Sequence, residues 1–330
     1  MKEKLAQTLL AFLSNRVYFL LVLMVVVVAV MSSISPYFFD ITNLLTMTRL
    51  GAVLALIAMG QSLVILAGGA GIDLSVGGIL SLTGVLFGLL AVRAGLDLPV
   101  ALLLGVLIGA GLGALNGITV AWWGVPPLIG TLGSGWAYSA IALVITQGVP
   151  VSGFVDAFRF LGEGSVLGIP AQIMLVVLPA FLLLQMMMAR TVFGRWIYLI
   201  GVNDQAARFS GVPVTRIRFL LYTLSGLLAG LGAVVMSSWL MAARPDVGAG
   251  MELQSITVAV LGGIDIFGGT GSLLGTILAV LIVTMVASGL QLANINAIWQ
   301  LAVLGFILLG AVALNQILSR QMAVRQGLRV

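Results

Sequence analysis

The chain has 330 residues, of which 61% are hydrophobic and 8% charged, and its mean hydropathy is +1.22; a soluble globular domain carries roughly 25% charged residues, so a water-soluble protein is excluded. There is no Cys and no His, which removes thiolate and imidazole nucleophiles, Ser-His-Asp triads and most zinc sites, and leaves no expected metal site or catalytic residue. The only lysines, Lys2 and Lys4, stand at the N-terminus, so no GxxxxGK[ST] phosphate loop exists, and the net charge of +5, scattered between apolar runs, points to membrane topology rather than nucleic acid.

A hydrocarbon core of about 30 Å takes about 20 apolar residues per helical crossing. Apolar runs between breaks predict ten spans, at about 17–35, 50–68, 76–92, 99–121, 127–146, 169–189, 217–241, 253–267, 272–290 and 297–317, the eighth being short. The expected fold class is an all-α polytopic membrane protein with a single transmembrane domain over 1–330. The first run follows Met1-Lys2-Glu3-Lys4 without a small-residue cleavage pattern, so it reads as a retained helix rather than a signal peptide. Cytoplasmic N- and C-termini put only Arg49, Arg93, Arg159 and Arg244 of the 15 basic residues outside, as the positive-inside bias requires. Two loops are long, 147–168 outside and 190–218 inside.

In chain order, the first of the candidate polar residues within a predicted span is Gln61. The segment 68–78 follows, with five glycines in eleven residues, each costing a helix about 1 kcal/mol relative to Ala. It is a break between spans, in which Asp73 is placed to cap the next helix, and Gly71, Asp73, Ser75 and Gly77 are the candidate break or gating residues. Gly105, Gly109, Gly113 and Gly117 then recur every four residues, a smooth stripe along which a neighbouring helix can approach and slide. Asn116 lies beside it and needs an interhelical partner; together with Gln61, Thr131, Ser134 and Gln254 it is a candidate lining for the path of a neutral solute.

In the inner loop, Asn203 is a good N-cap, Asp204 complements the helix dipole, Gly211 is a stop and Pro213 prevents continuation. This predicts a short helix from Asp204 to Ser210 whose Ala206, Ala207 and Phe209 are exposed, as a docking element would have them, with a membrane-surface helix as the plainer alternative. Further on, Gly263-Ile264-Asp265 repeats Gly71-Ile72-Asp73, so Asp265 is a second candidate break residue; internal repeats with matched helix breaks are common in transporters.

These residues resemble the permease subunits of bacterial ABC importers for monosaccharides, of the ribose, xylose, galactose and autoinducer-2 type in the branched-chain-permease-like superfamily. The likeness runs from about residue 36 to 315 and is carried by 71–77, Asn116-Gly117, Thr131-Leu132-Gly133, Gly194-Arg195 with 201–211, and Glu252-Leu253 followed by Gly262-Gly263 and 268–272. It departs from the usual pattern where Gly-Gly-Ile-Asp becomes Gly68-Gly69-Ala70-Gly71-Ile72-Asp73, and the second half looks closer to autoinducer-2 or rhamnose permeases. The resemblance implies a type II importer-like permease in a bacterial inner membrane, not itself an enzyme. Its implied partners are a second permease, identical or related, a periplasmic sugar-binding protein, and a cytoplasmic ATPase that binds the ATP and Mg. That ATPase would dock on Asn203, Asp204, Ala207, Arg208, Phe209 and Gly211. The alternative is an ion-coupled carrier for a small polar solute, which needs an acid deep in a span; the sequence puts nearly every acid at a span end.

Overall fold

The computed structural model describes residues 16–296, and beyond them 299, 302–303, 305–306 and 309–310. Helix α1 (Arg16–Ile34) is followed by α2 (Ile41–Leu66), by α3 (Val76–Gly88) prolonged by a π turn Leu89–Arg93, and by α4 (Leu98–Gly117) prolonged by a π turn Ile118–Trp122. Then come α5 (Pro127–Thr146), α6 (Arg159–Glu163), α7 (Leu178–Arg190) entered through a π turn Ile173–Val177, α8 (Val192–Val202) and α9 (Asp204–Phe209). The series ends in α10 (Val214–Leu240), α11 (Met251–Leu261) and α12 (Leu273–Leu292). Strands are confined to two short antiparallel pairs, β1 (Val151–Ser152) with β4 (Ala242–Ala243) and β2 (Ser165–Val166) with β3 (Ile169–Pro170).

Eight of these helices, counting their π turns, are long and apolar enough to cross a bilayer, and the chain is an all-α polytopic membrane protein. They overlie eight of the ten predicted spans. Helix α2 begins before the predicted start because Asp40 opens it, its Oδ1 accepting from Thr42 N at 2.8 Å. The predicted eighth span is instead the 11-residue α11, about 16 Å at 1.5 Å per residue and too short to cross as a helix; its expected end falls in the turns after Leu261. The predicted tenth span lies largely outside the described residues, as do Lys2, Lys4, Arg320, Arg325 and Arg329.

Two compact units emerge. One takes in residues up to Met47, Thr257–Ile264 and residues from Gly271 onward. Here α1 packs on α12, with Met31, Phe38, Met47, Val286 and Leu290 buried together. Gly289 makes this approach possible, since a Cβ there would lie 2.8 Å from Met31 Cγ.

The second unit comprises Thr48–Ile256 and Asp265–Thr270. Its spine is the pair α4 and α10. The glycine stripe of α4 meets a second set of glycines on α10: a Cβ on Gly109 would stand 2.7 Å from Gly230 Cα, and one on Gly113 2.8 Å from Gly226 Cα. Lipid supplies no hydrophobic drive between apolar helices, so this backbone-to-backbone contact is what van der Waals attraction can hold. Gly60 brings α2 onto the same helix, with a Cβ there 2.9 Å from Ser225 Cα. At one end, the segment after α5 folds back as a lid of aromatic rings, Phe154 and Phe158 lying 5.4 and 5.3 Å from Phe87.

Candidate functional site

The break between α2 and α3 is held by side-chain hydrogen bonds from several helices of the second unit. Gly68, Gly69 and Gly71 interrupt the helix, whereas Gly77 and Gly78, expected in the break, lie in the first turn of α3; the chain turns at Gly68 and Gly69, both at positive φ (63° and 65°). It then runs without regular structure through Ile72 and Asp73 and turns at Leu74 and Ser75 before α3 begins, and every backbone group on that run needs a partner where lipid offers none. The Gln61 amide supplies two when its oxygen and nitrogen are assigned to suit their neighbours, the nitrogen donating to Asp73 O at 2.9 Å and the oxygen accepting from Asp73 N at 3.2 Å. Thr131 Oγ accepts from Leu74 N at 3.0 Å.

The Asp73 side chain is fully buried. Its Oδ1 accepts from Ser75 N at 3.0 Å and Ser75 Oγ at 2.5 Å, and its Oδ2 accepts from Ser225 Oγ on α10 at 2.8 Å. Ser75 Oγ in turn accepts from Asn116 Nδ2 at 2.5 Å, and the Tyr138 hydroxyl lies 3.2 Å from Asn116 Oδ1. Donors on α4, α5 and α10 thus converge, directly or in relay, on one carboxylate, with no ion pair to it among the described residues. Contrary to expectation, Asp73 does not cap α3: Ser75 is the N-cap residue and no side chain caps the helix. The Asp73 carboxylate instead closes a turn on Ser75 N, just before α3, and ties helices to the break. Gly78 and Gly135 let α5 close in, a Cβ on Gly78 standing 3.1 Å from Gly135 Cα. Gly77 makes the same allowance for Gly248, whose N–H donates to Ser81 Oγ at 3.0 Å.

Of the candidate path residues, Gln61, Asn116 and Thr131 are buried and bonded within this cluster. Ser134 is half-buried and donates to Thr131 O at 3.1 Å. Gln254, half-buried on α11, makes no hydrogen bond to the cluster. The expectation that acids fall at span ends holds for Asp73 in sequence but not in depth, because the break carries it into the packed interior. Asp265 is half-buried in its own turn, Oδ1 accepting from Phe267 N at 2.9 Å.

The stretch 190–218, expected as a loop with one short helix, contains two. Thr191 caps α8 by accepting from Gly194 N at 3.2 Å. Asn203 caps α9, Oδ1 accepting from Ala206 N at 2.9 Å, and α9 ends one residue before the expected Ser210, with Gly211 at φ +81°. Two arginines fix the helix through Asp204, Arg208 Nε at 2.8 Å from Oδ1 and Arg218 Nη1 at 3.0 Å from Oδ2. Ala206 is exposed and Phe209 is 92% exposed, but Ala207 is buried, which corrects the expectation of three exposed apolar residues. A helix of six residues has a face in either direction, and the pairing of Asp204 with Arg218 turns Ala207 inward.

Sequence reasoning missed Ser225, Tyr138 and Arg218. Ser225-Gly226 in an otherwise apolar run was the available signal for the first: a hydroxyl next to a small residue on a membrane helix marks a contact face.

The profile of the family described as "Branched-chain amino acid transport system / permease component" matches residues 43–312. The ribose import permease protein of Bacillus subtilis is 39% identical over 293 residues, covering 88% of this chain and 90% of its own. The D-allose transport system permease protein of Escherichia coli is 37% identical over 300 residues, 90% and 91% of the two chains. The autoinducer 2 import system permease protein of Photorhabdus luminescens is 34% identical over 279 residues, 83% of each. No solved structure matches the chain significantly. With its bundle of apolar helices and a profile match across most of its length, the chain belongs to this family of transport-system permease components.

Proposed function

We propose that this chain is the membrane-spanning subunit of an ATP-driven importer for a monosaccharide or similar small polar solute, in the class of ribose-like sugars, rhamnose or autoinducer 2. The relatives named above support the solute class. ATP is bound, with Mg, and hydrolysed by a separate cytoplasmic ATPase that docks on α9, while a periplasmic binding protein delivers solute to the other face of the inner membrane. A second permease, identical or related, completes the core, and residues 1–330 form a single transmembrane domain with both termini cytoplasmic.

The observation that carries the reading is α9 itself. Phe209 stands 92% exposed on a helix held from behind by Ala207 and by the Asp204–Arg218 pair. An aromatic presented on a rigidly held element is what a docking hot spot needs. In this reading ATPase closure displaces α9 and α10, and the displacement reaches Ser225 and Asp73, where the cluster opens or closes the solute path between two packed states.

A tagged full chain isolated from native membranes in mild detergent is expected to bring down an ATPase chain. In an Arg208→Ala/Phe209→Ala double variant, loss of a hot spot worth about 2 kcal/mol weakens that association roughly 30-fold. Normal solute uptake by the double variant would sink the docking assignment. One observation favours a second reading, an ion-coupled carrier: the fully buried Asp73 carboxylate is the deep acid such a carrier needs. Uptake that persists without ATP and collapses with a protonophore would establish it.

A further inference from the structure

Arg218 and Tyr222 sit on successive turns of α10, and both line a cavity of about 210 Å³ together with Gly68, Gly69, Pro126 and Arg208. The charged residues of this lining do not balance: both are arginines, Arg208 bonded to Asp204 Oδ1 and Arg218 to Oδ2, while the buried Asp73 carboxylate acts on Tyr222 from outside the lining.

The hydrogen bonds do not balance either. Arg218 spends Nη1 on Asp204, while its Nη2 is buried without an acceptor. The Tyr222 hydroxyl, in a residue 2% exposed, is buried without a partner as well. These are two of the four buried side-chain polar atoms left unpartnered among the described residues, and both belong to residues of this one cavity. What is missing is an acceptor, because a guanidinium has no lone pair to offer and the tyrosine beside it has a proton to give. The guanidinium lies against Gly69, where a Cβ would stand 3.1 Å from Cζ.

We propose that this cavity is a binding site for a phosphate-type oxyanion, free or carried on a small metabolite, held by Arg218 Nη2 and the Tyr222 hydroxyl with Arg208 adding charge. Such an anion meets the two arginines of the lining and accepts from both orphaned donors, and a guanidinium fork suits its geometry. A neutral hydroxylated solute would satisfy the donors without matching the cationic lining. Because Arg218 also holds Asp204, the bound anion competes with Asp204 for that guanidinium and so governs how firmly α9 is tethered. This last consequence rests on α9 as the docking element; the binding itself does not, and it is read without an ATPase present.

The full chain in lipid nanodiscs is titrated by calorimetry and thermal unfolding with inorganic phosphate and, separately, with ribose 5-phosphate, against sodium chloride of equal ionic strength. Saturable binding and stabilisation by the anion are expected, weakened about tenfold in Tyr222→Phe, as loss of a hydrogen bond to a charged group weakens binding, and abolished in Arg218→Gln. Tighter binding of ribose 5-phosphate makes a metabolite the ligand, and equal binding makes it free phosphate. Tyr222→Phe removes a hydroxyl that bonds to nothing, so it keeps the fold and decides the matter even where Arg218→Gln does not fold. No saturable response in the folded wild type, a response unchanged in Tyr222→Phe, or saturation by ribose with none by phosphate overturns the proposal.

Discussion

The two Gly-Ile-Asp segments begin alike and end in different roles. In both, the Asp Oδ1 accepts the backbone N–H two residues on, from Ser75 at 3.0 Å in the first and from Phe267 at 2.9 Å in the second. That shared turn is local chemistry, an Asx turn that a short acidic side chain makes wherever the chain bends. The surroundings make the difference. Asp73 is enclosed, and its second oxygen is taken by Ser225 from a helix 152 residues further on. Asp265 remains half-buried, beside the 81% exposed Phe267, while its turn lays Gly269 N on Leu66 O at 2.9 Å and packs Gly268 on Gly68. One segment gathers helices around a charge; the other uses its glycines to press a turn against the end of α2. Local sequence chooses the turn, and burial decides what the spare oxygen is for.

The sharpest way to break this comparison is Asp73→Ala against Asp265→Ala. Removing the Asp73 carboxylate strands two hydroxyls and a backbone N–H in the interior, an expected loss of about 3–5 kcal/mol. Unfolding in mixed detergent micelles would show it, and a cost for Asp73→Ala no larger than that for Asp265→Ala would dissolve the distinction. Next in size is Gly113→Ala, which pushes apart the helices that carry Asn116 and Ser225 and is expected to cost about 1–3 kcal/mol by overpacking. Its control, Gly111→Ala, has open space around the new methyl and is expected to stabilise by up to about 1 kcal/mol.

Ser225→Ala removes a single donor from the enclosed carboxylate, for about 1–2 kcal/mol. A double variant with Asp73→Ala should then cost less than the sum of the two, and strict additivity would mean that the bond contributes nothing. Smallest is Asp265→Asn, which keeps an oxygen for Phe267 N and should change stability by less than about 0.5 kcal/mol; a larger loss would reveal a hidden partner for that carboxylate.

Much of this was legible in the residues. The glycine break, the cap at Asn203, the stripe from Gly105 to Gly117 and the need of Asn116 for a partner all follow from propensity and from what a membrane interior forbids. What could not be read is who answers. The stripe on α4 is a local pattern, but that Gly226 and Gly230 complete it depends on a helix pairing about a hundred residues away in sequence, which leaves no local trace. The inward turn of Ala207 depends likewise on Arg218, which a sequence reading takes for an ordinary loop cation. The eighth span, expected to be short, is shorter still for a different reason: Ile264, Ile266 and Phe267 carry the apolar reading past the point where Gly262 and Gly263 follow the end of the helix.

The bond between Asp73 and Ser225 also sets a schedule. A ribosome adds about 5–20 residues per second, so roughly 8–30 s separate synthesis of the carboxylate from synthesis of its last partner. Throughout that interval the nascent hairpin of α2 and α3 carries an acid into or beside the bilayer with part of its hydrogen-bonding unmet. Its hydrogen bonding is complete only when α10 arrives, which makes the second half of the chain a late contributor to the packing of the first.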